Sequence, residues 1–463
     1  MYIETTNEEI KNSDRIKVID SPMGTGKTTK MIEYINEMPK DQRVIYITPF
    51  NNECKRIVKE CEDRNFISPD VRIGKGSKSV HLLQLIKAEK NIVATHSLFS
   101  RISDEVIHLL RNSNYILVLD EAFNVVEKWD MWEDDKIFKS YAKDEKDDLT
   151  KETLKSLRAH NIISVEKDFK IVWKDLKYYQ PKYLEFRNLC DRGLIYLIND
   201  ELLLWTFPIE CFQEGLFKEI YILTYLFDYQ LQSYYYKYFD VPYVKYHMET
   251  IDGEYIIVKT TNNQYEIDWI RNIKSLVHIA DGSINKTCIF FNTYGHIVPT
   301  ALSKTWYNKN TKKISDIKKS MVTFFANYTN AKGSEKLWTC YKSHKRYFKD
   351  VNVTFRNFLS CNARATNDFR NKSALAYLIN LYIDPFYIHF FHKKGIVLNK
   401  DGHALSEMLQ WIWRSQIRDG KPIEIFIASE RMRNLLINFL NESEIKPFAN
   451  ADEDLDTIEN ELD

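Results

Sequence analysis

The chain has 463 residues, with 65 Lys and Arg residues against 65 Asp and Glu residues, so its formal net charge is zero. Hydrophobic residues make up 44% of it and aromatic residues 14%, while Gly (13) and Pro (11) are scarce. This composition is typical of a folded protein of more than one domain and excludes collagen-like or largely disordered sequence.

Charge is distributed unevenly along the chain. Residues 304–349 are rich in Lys and Arg, with the acids Asp316 and Glu335 between them, and they also carry aromatic residues. Such a combination can bind phosphates and stack bases, although we expect about half of these aromatic side chains to belong to a core. Residues 450–463 form an acidic tail, which we interpret as solvated surface.

The cysteine pattern and the lengths of the apolar runs indicate where in the cell the protein is located. The seven cysteines include no CxxC pair, which argues against a disulfide framework and against a zinc site. No run approaches the ~20 apolar residues of a spanning helix, and residues 1–14 lack the apolar core of a signal peptide. We therefore expect a cytoplasmic protein.

In residues 1–125, short apolar runs alternate with helix-like segments. The runs lie at residues 16–19, 44–47, 92–94 and 115–119. This alternation predicts βαβ units and a parallel sheet. In residues 127–200 this alternation ends, and the sequence becomes rich in Lys and Glu with helical spacing, as in residues 147–160. This pattern predicts a helical insertion in the first domain.

A second domain is predicted after the strand-like run at residues 219–224. Its predicted strands are residues 255–258, 287–292, 337–341, 354–359 and 424–428, and its predicted helices are residues 374–382 and 405–417. The tyrosine-rich residues 225–246 mark the boundary. The sequence thus predicts an α/β protein with a first domain over residues 1–228, a second over 229–449 and the acidic tail over 450–463.

A phosphate-binding loop follows the first predicted strand. Residues 21–29 read SPMGTGKTT and precede a helical stretch. In such a loop backbone N–H groups wrap phosphates, and Gly24 and Gly26 let the backbone approach them closely. Lys27 is expected to reach the β- and γ-phosphates and Thr28 to bind Mg²⁺. The other predicted nucleotide contacts are Ser21, Met23, Thr25 and Thr29.

An apolar strand that ends in two carboxylates lies at residues 116–121, which read ILVLDE. Asp120 is predicted to lie next to the Mg²⁺ ion, and Glu121 to orient or deprotonate an attacking water. Together with the phosphate-binding loop, this pair predicts hydrolysis of a nucleoside triphosphate.

With these motifs the chain resembles a superfamily 2 helicase of the phage-encoded type, and further motifs follow in that family's order. Residues 46–50 (YITPF) and 94–99 (ATHSLF) resemble strand-end motifs that touch a nucleic-acid backbone. The contacts that this resemblance implies are Thr48, Pro49, Thr95, His96 and Ser97. Residues 222–226 (ILTYL) resemble the motif that couples the ATP state to domain movement, with Thr224 in the coupling position.

Two motifs of the second half extend the resemblance. Residues 358–367 (FLSCNARATN) resemble the fifth helicase motif, which implies phosphate contacts from Asn362, Arg364 and Thr366. Residues 410–418 (QWIWRSQIR) resemble the arginine motif. There the three functional candidates fall at i, i+4 and i+8, broadly along one helix face, and they are Gln410, Arg414 and Arg418.

The arginine motif departs from the family pattern in two places. Trp413 stands where the family has Gly, and Ile417 stands where it has the second arginine. Arginines that cross a cleft towards a γ-phosphate stabilise the charge that develops during hydrolysis. Arg414 is therefore the stronger candidate, and which of Arg414 and Arg418 is the arginine finger stays open.

The resemblance implies two RecA-like domains in tandem that bind ATP with Mg²⁺ and grip a nucleic acid, with DNA in phage replication or recombination favoured. It also implies host cytoplasm, a monomer or an undetermined oligomer, and replication proteins as partners. Two alternatives stay open. One is a terminase-like packaging ATPase, whose nuclease would need a carboxylate cluster in the second half. The other is an initiator that melts an origin without processive movement.

Overall fold

The computed structural model describes residues 14–111, 113–133, 143–348, 357–361 and 369–441. The strands are, in chain order, β1 (Ile16–Asp20), β2 (Arg43–Thr48), β3 (Ile92–Thr95), β4 (Tyr115–Asp120), β5 (Val126–Trp129), β6 (Ile163–Val165), β7 (Ile171–Trp173), β8 (Ile195–Ile198), β9 (Leu202–Thr206), β10 (Glu219–Thr224), β11 (Val244–Ile251), β12 (Glu254–Lys259), β13 (Val277–Ile279), β14 (Lys336–Thr339), β15 (Ala374–Tyr377) and β16 (Ile423–Ile427).

The helices between these strands are α1 (Lys27–Glu37), α2 (Asn51–Glu60), α3 (Lys78–Lys87), α4 (His96–Phe99), α5 (Asp104–Leu110), α6 (Lys143–Ala159), α7 (Leu184–Asp191), α8 (Leu231–Tyr238), α9 (Gln264–Lys274), α10 (Ser283–Lys286), α11 (Lys304–Lys309), α12 (Ile314–Asn327), α13 (Pro385–His392), α14 (Lys400–Ile412) and α15 (Glu430–Asn441).

The first sheet has seven strands in the order β12-β11-β1-β10-β4-β2-β3. From β11 to β3 the neighbouring strands are parallel, and β12 is antiparallel to β11. The five strands predicted in the first half are confirmed as β1, β2, β3, β4 and β10. Because parallel strands share their carboxyl edge, the segments that follow β1, β4 and β10 meet there.

This first sheet continues past the boundary predicted at residue 228. β11 pairs with β1 from Lys17–Val244 to Ile19–Tyr246, and the predicted strand at 255–258 is β12 in the same sheet. Edge backbone groups of β1 need hydrogen-bonding partners, and β11 supplies them. The strand pairing therefore assigns residues 244–259 to the first sheet, whereas the residue at which the domains divide stays a prediction.

The second sheet has the order β13-β16-β15-β14 and is parallel throughout. One face packs against α9, α14 and α15, and the other against α11 and α12. The predicted strands at 337–341 and 424–428 are confirmed as β14 and β16, whereas residues 354–356 of the strand predicted at 354–359 lie outside the described residues. Of the aromatic residues in the basic stretch, Trp306, Tyr307, Phe324, Phe325, Trp338 and Phe348 are buried in this core.

Two elements predicted for the second domain are wrong. Residues 374–377 are β15, not a helix, because all four side chains are 0% exposed between β14 and β16, and this burial overrides the helix propensity of Ala and Leu. Residues 287–292 form a turn and a single antiparallel bridge between Phe291 and Ile297 rather than a strand, since the amides of Thr287 and Ile289 bond back to Ile284 and Lys286.

The insertion that follows β4 is mixed α and β, which corrects the prediction of a helical insertion. It contains α6, close to the helix predicted at 147–160, together with α7, the antiparallel sheet β5-β9-β8 and the hairpin β6-β7. Strand side chains such as Trp173, Ile195 and Leu203 are buried in a separate core of this unit, together with Trp132 and Phe186. The charged residues of α6 dominate the sequence pattern and conceal these strands.

Helix α13 belongs to the second half of the chain but packs into the core of the first domain. Phe390 stacks on Tyr238 with ring centroids 4.5 Å apart and meets Tyr196 edge-on at 5.1 Å. Burial of one such ring stabilises a structure by about 1.5–3 kcal/mol. The two domains are therefore joined by a docked helix as well as by the covalent connections between them.

Two features are absent from the part of the chain that the structure describes. No helix in these residues is long and apolar enough to cross a membrane. Nor do the same residues contain a group of three or more His, Cys, Asp or Glu side chains that could hold a metal ion, as a two-metal nuclease centre would require.

Candidate nucleotide and nucleic-acid site

The phosphate-binding loop connects β1 to α1 at the carboxyl edge of the first sheet. Gly24 and Gly26 have φ angles of 86° and 81°, in the left-handed region that favours glycine. Gly26 is the N-cap of α1, and Met31, Ile32 and Ile35 are buried on the sheet side of that helix. The loop therefore presents the start of α1, with its free N–H groups, towards the edge of the sheet.

Ser21 stands at the position where the general pattern has Gly, and its contacts explain why a side chain is accommodated. Its amide bonds to the carbonyl of Thr224 at 3.0 Å, and its Oγ accepts from the amide of Met248 at 2.6 Å. Ser21 is absent from the residues with positive φ. The side chain thus fastens the loop to β11, and Thr25 Oγ1 closes it by donating to Pro22 at 2.8 Å.

Lys27 lies inside the loop. Its ammonium donates to the carbonyls of Ser21 at 2.5 Å and Pro22 at 2.8 Å. Burial lowers the pKa of Lys27 to about 8, the nearby charge of Arg418 acts in the same direction, and Glu121, Asp20 and Asp120 oppose the shift. The lysine is therefore positioned among acidic groups at the place where phosphates would add negative charge.

Asp120 lies opposite the start of α1. Its Oδ1 accepts from Thr28 Oγ1 at 3.4 Å, and its Oδ2 accepts from the Tyr46 hydroxyl at 3.1 Å. Burial raises the pKa of Asp120 to about 7, and Glu121 adds to the shift. A hydroxyl and a carboxylate side by side are hard oxygen donors, the kind that Mg²⁺ binds together with phosphate oxygens.

Glu121, the second carboxylate, has a strained backbone. Its φ is 70°, which is unfavourable for a residue with a Cβ, and its amide bonds to the carbonyl of Leu223 at 2.9 Å. Such strain costs on the order of 1–3 kcal/mol and persists where the surroundings hold it in place. Here the neighbouring strand β10 holds it.

Thr224 ends β10 beside the phosphate-binding loop. It is 1% exposed, and its hydroxyl is 3.0 Å from Gln230 Oε1 and 2.9 Å from Gln230 Nε2. The next residue, Tyr225, packs with the core of the second domain and donates to Glu266 of α9 at 2.6 Å. The predicted coupling position is thus adjacent to a direct contact between the two domains.

An aromatic chain leads from Tyr225 to the arginine motif. Tyr225 and Trp269 of α9 have ring centroids 5.6 Å apart, and Trp269 and Trp413 have centroids 4.9 Å apart. Trp413 immediately precedes Arg414. The residue that departs from the family pattern is therefore a packing residue that connects the end of β10 to the arginine motif.

The arginine motif is not one continuous helix, which corrects the expected alignment of Gln410, Arg414 and Arg418. Helix α14 ends at Ile412, and Gln416–Asp419 forms a separate short 3₁₀ helix. The amide of Gln416 bonds to the carbonyl of Lys372 at 3.0 Å, which draws the chain away from the helix axis. Gln410 and Arg414 are 9% and 7% exposed, so both side chains are largely buried.

Arg418 is the arginine that lies beside the phosphate-binding loop. A Cβ placed on Gly24 would be 3.7 Å from the carbonyl oxygen of Arg418. Burial lowers the pKa of the Arg418 guanidinium, and the nearby positive charge of Arg370 acts in the same direction. The negative charges of Glu53 and Glu121 oppose the shift. Met23 of the loop also packs against the second-domain core, so the loop and the arginine motif are in contact.

The strand-end motifs border a cleft of about 510 Å³ beside this edge of the first sheet. Of the predicted nucleic-acid contacts, Pro49, Thr95 and Ser97 line it. Thr48 is 0% exposed, and the His96 ring lies 3.0 Å from the carbonyl oxygen of Asp120. Thr48 and His96 therefore pack against the strands that form the wall of the cleft and do not point into its open space.

The cleft includes residues that no sequence motif indicated. Ser77, Lys78 and Arg101 also line it, and Ser77 is the N-cap of α3. The stretch GKGSKS at residues 74–79, with its glycines, serines and lysines, is the signal that could have indicated them. The contacts predicted for Asn362, Arg364 and Thr366 lie outside the described residues.

Tyr255 is a further residue of the nucleotide site that the motifs did not predict. A Cβ on Gly26 would lie 2.7 Å from the Tyr255 ring, so the ring covers the start of α1. Tyr255 comes from β12, which was predicted to belong to the other domain. Thr29, the last loop residue, is exposed on α1, and its contact with a nucleotide stays a prediction.

Three family models match the chain. The model of the DEAD/DEAH box helicase matches residues 4–146, that of the YonV middle domain matches 145–205, and that of the YonV C-terminal Rossmann-like domain matches 271–440. The resemblance to a superfamily 2 helicase is thereby confirmed, as is the α/β fold class, with a helicase-type first domain and a Rossmann-like second domain in tandem.

A curated relative extends over almost the whole chain. The SPbeta prophage-derived uncharacterized protein YonV of Bacillus subtilis (strain 168) is 35% identical over 438 residues, which cover 92% of this chain and 99% of that protein.

Solved structures give a weaker likeness. An apo XPD structure has a TM-score of 0.46 and 12% identity, covering 93% of this chain and 95% of that one. Xpd4 of S. tokodaii has a TM-score of 0.46 and 11% identity, covering 92% and 94%. The DUF1998 helicase MrfA bound to DNA and AMPPNP has a TM-score of 0.33 and 10% identity, covering 93% of this chain and 49% of that one.

Proposed function

The chain belongs to the family of the prophage-derived YonV protein, and on that premise we propose that it is an ATP-dependent translocase or helicase that acts on DNA in phage replication or recombination. The observation that carries the proposal is the contact between the arginine motif and the phosphate-binding loop. A nucleotide bound in that loop would be shared by both domains, so its hydrolysis would change how they fit together.

The chain's own groups have distinct tasks at the nucleotide. The loop amides and the start of α1 bind the phosphates, and Lys27 neutralises their charge. Glu121 holds the attacking water and takes up its proton. Arg418 approaches from the second domain and stabilises the charge that develops on the transferred phosphoryl group, so hydrolysis depends on closure.

The side-by-side donors Thr28 Oγ1 and Asp120 Oδ1, 3.4 Å apart, fit a magnesium ion. When bound there with the phosphates, Mg²⁺ supplies positive charge at the oxygens of the leaving group. Tyr46 supports this role because its hydroxyl holds the second oxygen of Asp120.

The nucleic-acid strand would occupy the cleft beside the strand-end motifs. Helices α2 and α3 begin at the cleft, where Phe50 and Ser77 are their N-cap residues. Backbone N–H groups at helix starts bind phosphate oxygens, and Lys78 and Arg101 add charge for the same ligand. The His96 ring contacts the carbonyl oxygen of Asp120. Binding of a strand in the cleft can therefore change the position of Asp120 at the nucleotide.

The end of β10 would couple the state of the nucleotide to the movement of the two domains. Thr224 lies beside the loop, and Tyr225 reaches Glu266 and Trp269 of the second domain. A shift of the loop on hydrolysis is thereby passed to α9 and, through Trp413, back to the arginine motif.

The test is ATP hydrolysis by the purified chain alone and with single-stranded DNA, duplex DNA or RNA, beside Lys27→Ala, Arg414→Ala and Arg418→Ala variants. We expect strong stimulation by single-stranded DNA that the Lys27 and Arg418 variants lose. Equal hydrolysis with every polymer would contradict a nucleic-acid motor. It would favour the packaging or initiator alternatives, in which the activating partner is a protein or a specific site.

A further inference from the structure

The segment from the end of β7 to the first residue of α7, residues 174–184, exposes apolar side chains. Leu176 is 72% exposed, Tyr179 62% and Leu184 46%. Single exposed apolar residues are common, but a cluster on one loop marks an interaction surface. We call residues 174–184 the insertion loop.

The insertion loop is held in one conformation by its own contacts. Asp175 Oδ1 accepts from the amides of Lys177 at 2.9 Å and Tyr178 at 3.2 Å, and Trp173 Nε1 donates to the carbonyl of Asp175 at 2.8 Å. Arg187 of α7 donates to the carbonyls of Tyr178 and Leu176, both at 3.4 Å. Because the backbone is anchored in this way, Tyr179 is presented outwards in a defined place.

Charge on the insertion loop favours an anionic partner. Lys174, Lys177 and Lys182 are exposed on it. Its one acid, Asp175, is engaged by the loop backbone. An exposed aromatic ring among lysines suits a polymer that combines flat apolar rings with regular negative charge, which is the description of a single nucleic-acid strand.

The insertion loop is connected to the proposed nucleic-acid cleft by α7. At the far end of this helix, Arg192 donates to the carbonyl of Ile102 at 3.3 Å and pairs with Asp104 at 2.7 Å. Ile102 follows Arg101, which lines the cleft. The eight residues of α7 span about 12 Å, or roughly four nucleotides at the spacing of one strand.

From this placement we infer that the insertion loop is a second contact for the nucleic-acid strand, in which Tyr179 stacks on a base and the lysines bind flanking phosphates. The inference rests on the proposed function, because it requires a strand in the cleft. A strand confined to the cleft would not reach the loop, whereas a longer one would contact both.

The test measures binding of labelled oligodeoxythymidylate of two lengths, about 4 and about 16 nucleotides, both within the site sizes of single-strand binders. Tyr179→Ala is expected to weaken binding of the longer strand about five- to hundredfold, which is the usual range when one stacked base loses its aromatic partner. Binding of the shorter strand should stay unchanged. Tyr179→Phe keeps the ring and should behave like the wild type.

The lysines have their own readout, which is the slope of log binding constant against log salt concentration. Each lysine that binds a phosphate of a single strand contributes about 0.7 to this slope. Lys177→Gln and Lys182→Gln should therefore each reduce the slope for the longer strand by about 0.7. Lys155→Gln, an exposed lysine on α6 of the same insertion, is the matched control and should leave the slope unchanged.

The outcomes separate this inference from the proposed function. If the wild type binds neither strand, the proposed function fails. If the wild type binds both and Tyr179→Ala binds them equally well, the second contact is overturned while the motor stands. Cross-linking with 5-iodouracil in the longer strand gives an independent check: attachment at Tyr179 supports the contact, and attachment that avoids the insertion loop contradicts it.

Discussion

The phosphate-binding loop at residues 21–29 and the part of the arginine motif at residues 413–418 lie side by side, but different kinds of contact hold them in place. The loop lies between β1 and α1, and its shape follows from two glycines and its own hydrogen bonds. The arginine motif lies beyond the end of α14, where Gln416 is bonded to Lys372 and Trp413 packs on Trp269. The conformation of the phosphate-binding loop therefore follows from its local sequence, whereas the position of the arginine motif depends on packing against residues distant in the sequence.

This difference matters for how mutations should act. A change of Lys27 in the loop should remove phosphate contacts and leave the fold intact, because its ammonium donates to carbonyls of the loop itself. Changes around the arginine motif also alter how the domains meet, because its position depends on α9 and on the strand end at Tyr225. Four predictions test this contrast.

The largest effect is expected from Lys27→Ala on the locally encoded side. It should reduce ATP hydrolysis to background without lowering the melting temperature, since the lysine contributes charge at the phosphates rather than packing. Lys30→Ala, three residues along α1 and paired with Glu33, is the matched control and should keep activity. Similar losses in both variants would mean that α1 itself had been disrupted.

On the other side of the site, Arg418→Ala should lower the rate of hydrolysis by about 10²–10³-fold at an unchanged melting temperature, because Arg418 is partly exposed beside the loop. Arg414→Ala should lower the melting temperature as well, since Arg414 is 7% exposed and its replacement removes buried contacts. Rate measurements beside thermal unfolding distinguish the two. Full activity of Arg418→Ala with an inactive but stable Arg414→Ala would identify Arg414 as the arginine finger.

Trp269→Ala should have an intermediate effect because it interrupts the path from Tyr225 to Trp413. Each aromatic pair contributes about 0.5–1.5 kcal/mol, so we expect DNA-stimulated hydrolysis to fall about fivefold and basal hydrolysis to fall less. Tyr294→Ala, an aromatic residue of the same domain that is 84% exposed, is the control. Equal reduction of the basal and the stimulated rate would show that Trp269 supports the fold and not the coupling.

The fourth prediction concerns the pH dependence of stability at Glu266, which joins the domains through Tyr225. Burial raises the pKa of Glu266 to about 7; Asp20 and Asp228 add to the shift, and Tyr225 and Lys245 oppose it. The folded chain then keeps a proton that the unfolded chain loses near its ordinary pKa of 4.5. The resulting stabilisation is present at low pH and is lost as the pH rises through about 7. Each tenfold difference in proton affinity between the two states corresponds to about 1.4 kcal/mol.

Urea unfolding across this pH range checks the prediction for Glu266. The free energy of unfolding should fall with rising pH more steeply in the wild type than in Glu266→Gln, whose amide does not titrate. Parallel curves for the two proteins would show that the carboxyl group is not linked to folding.

Much of the first domain could be predicted because its signals are local. The apolar runs that became β1, β2, β3, β4 and β10 are continuous, and parallel strands in a core need such runs. In the second domain, Ala374–Tyr377 was predicted as a helix, since Ala and Leu favour helices when packing does not intervene. There the neighbouring strands decided the conformation.

The amino-acid sequence by itself determined the phosphate-binding loop, the carboxylates Asp120 and Glu121, and their meeting at one edge of a parallel sheet. Contiguous residues and the common direction of parallel strands suffice for these features. Only the tertiary structure decided that Arg418 lies beside Gly24 and that Tyr255 covers Gly26. These contacts join residues more than two hundred positions apart, and they depend on where α14 ends and which sheet β12 joins, which packing determines and local pattern does not.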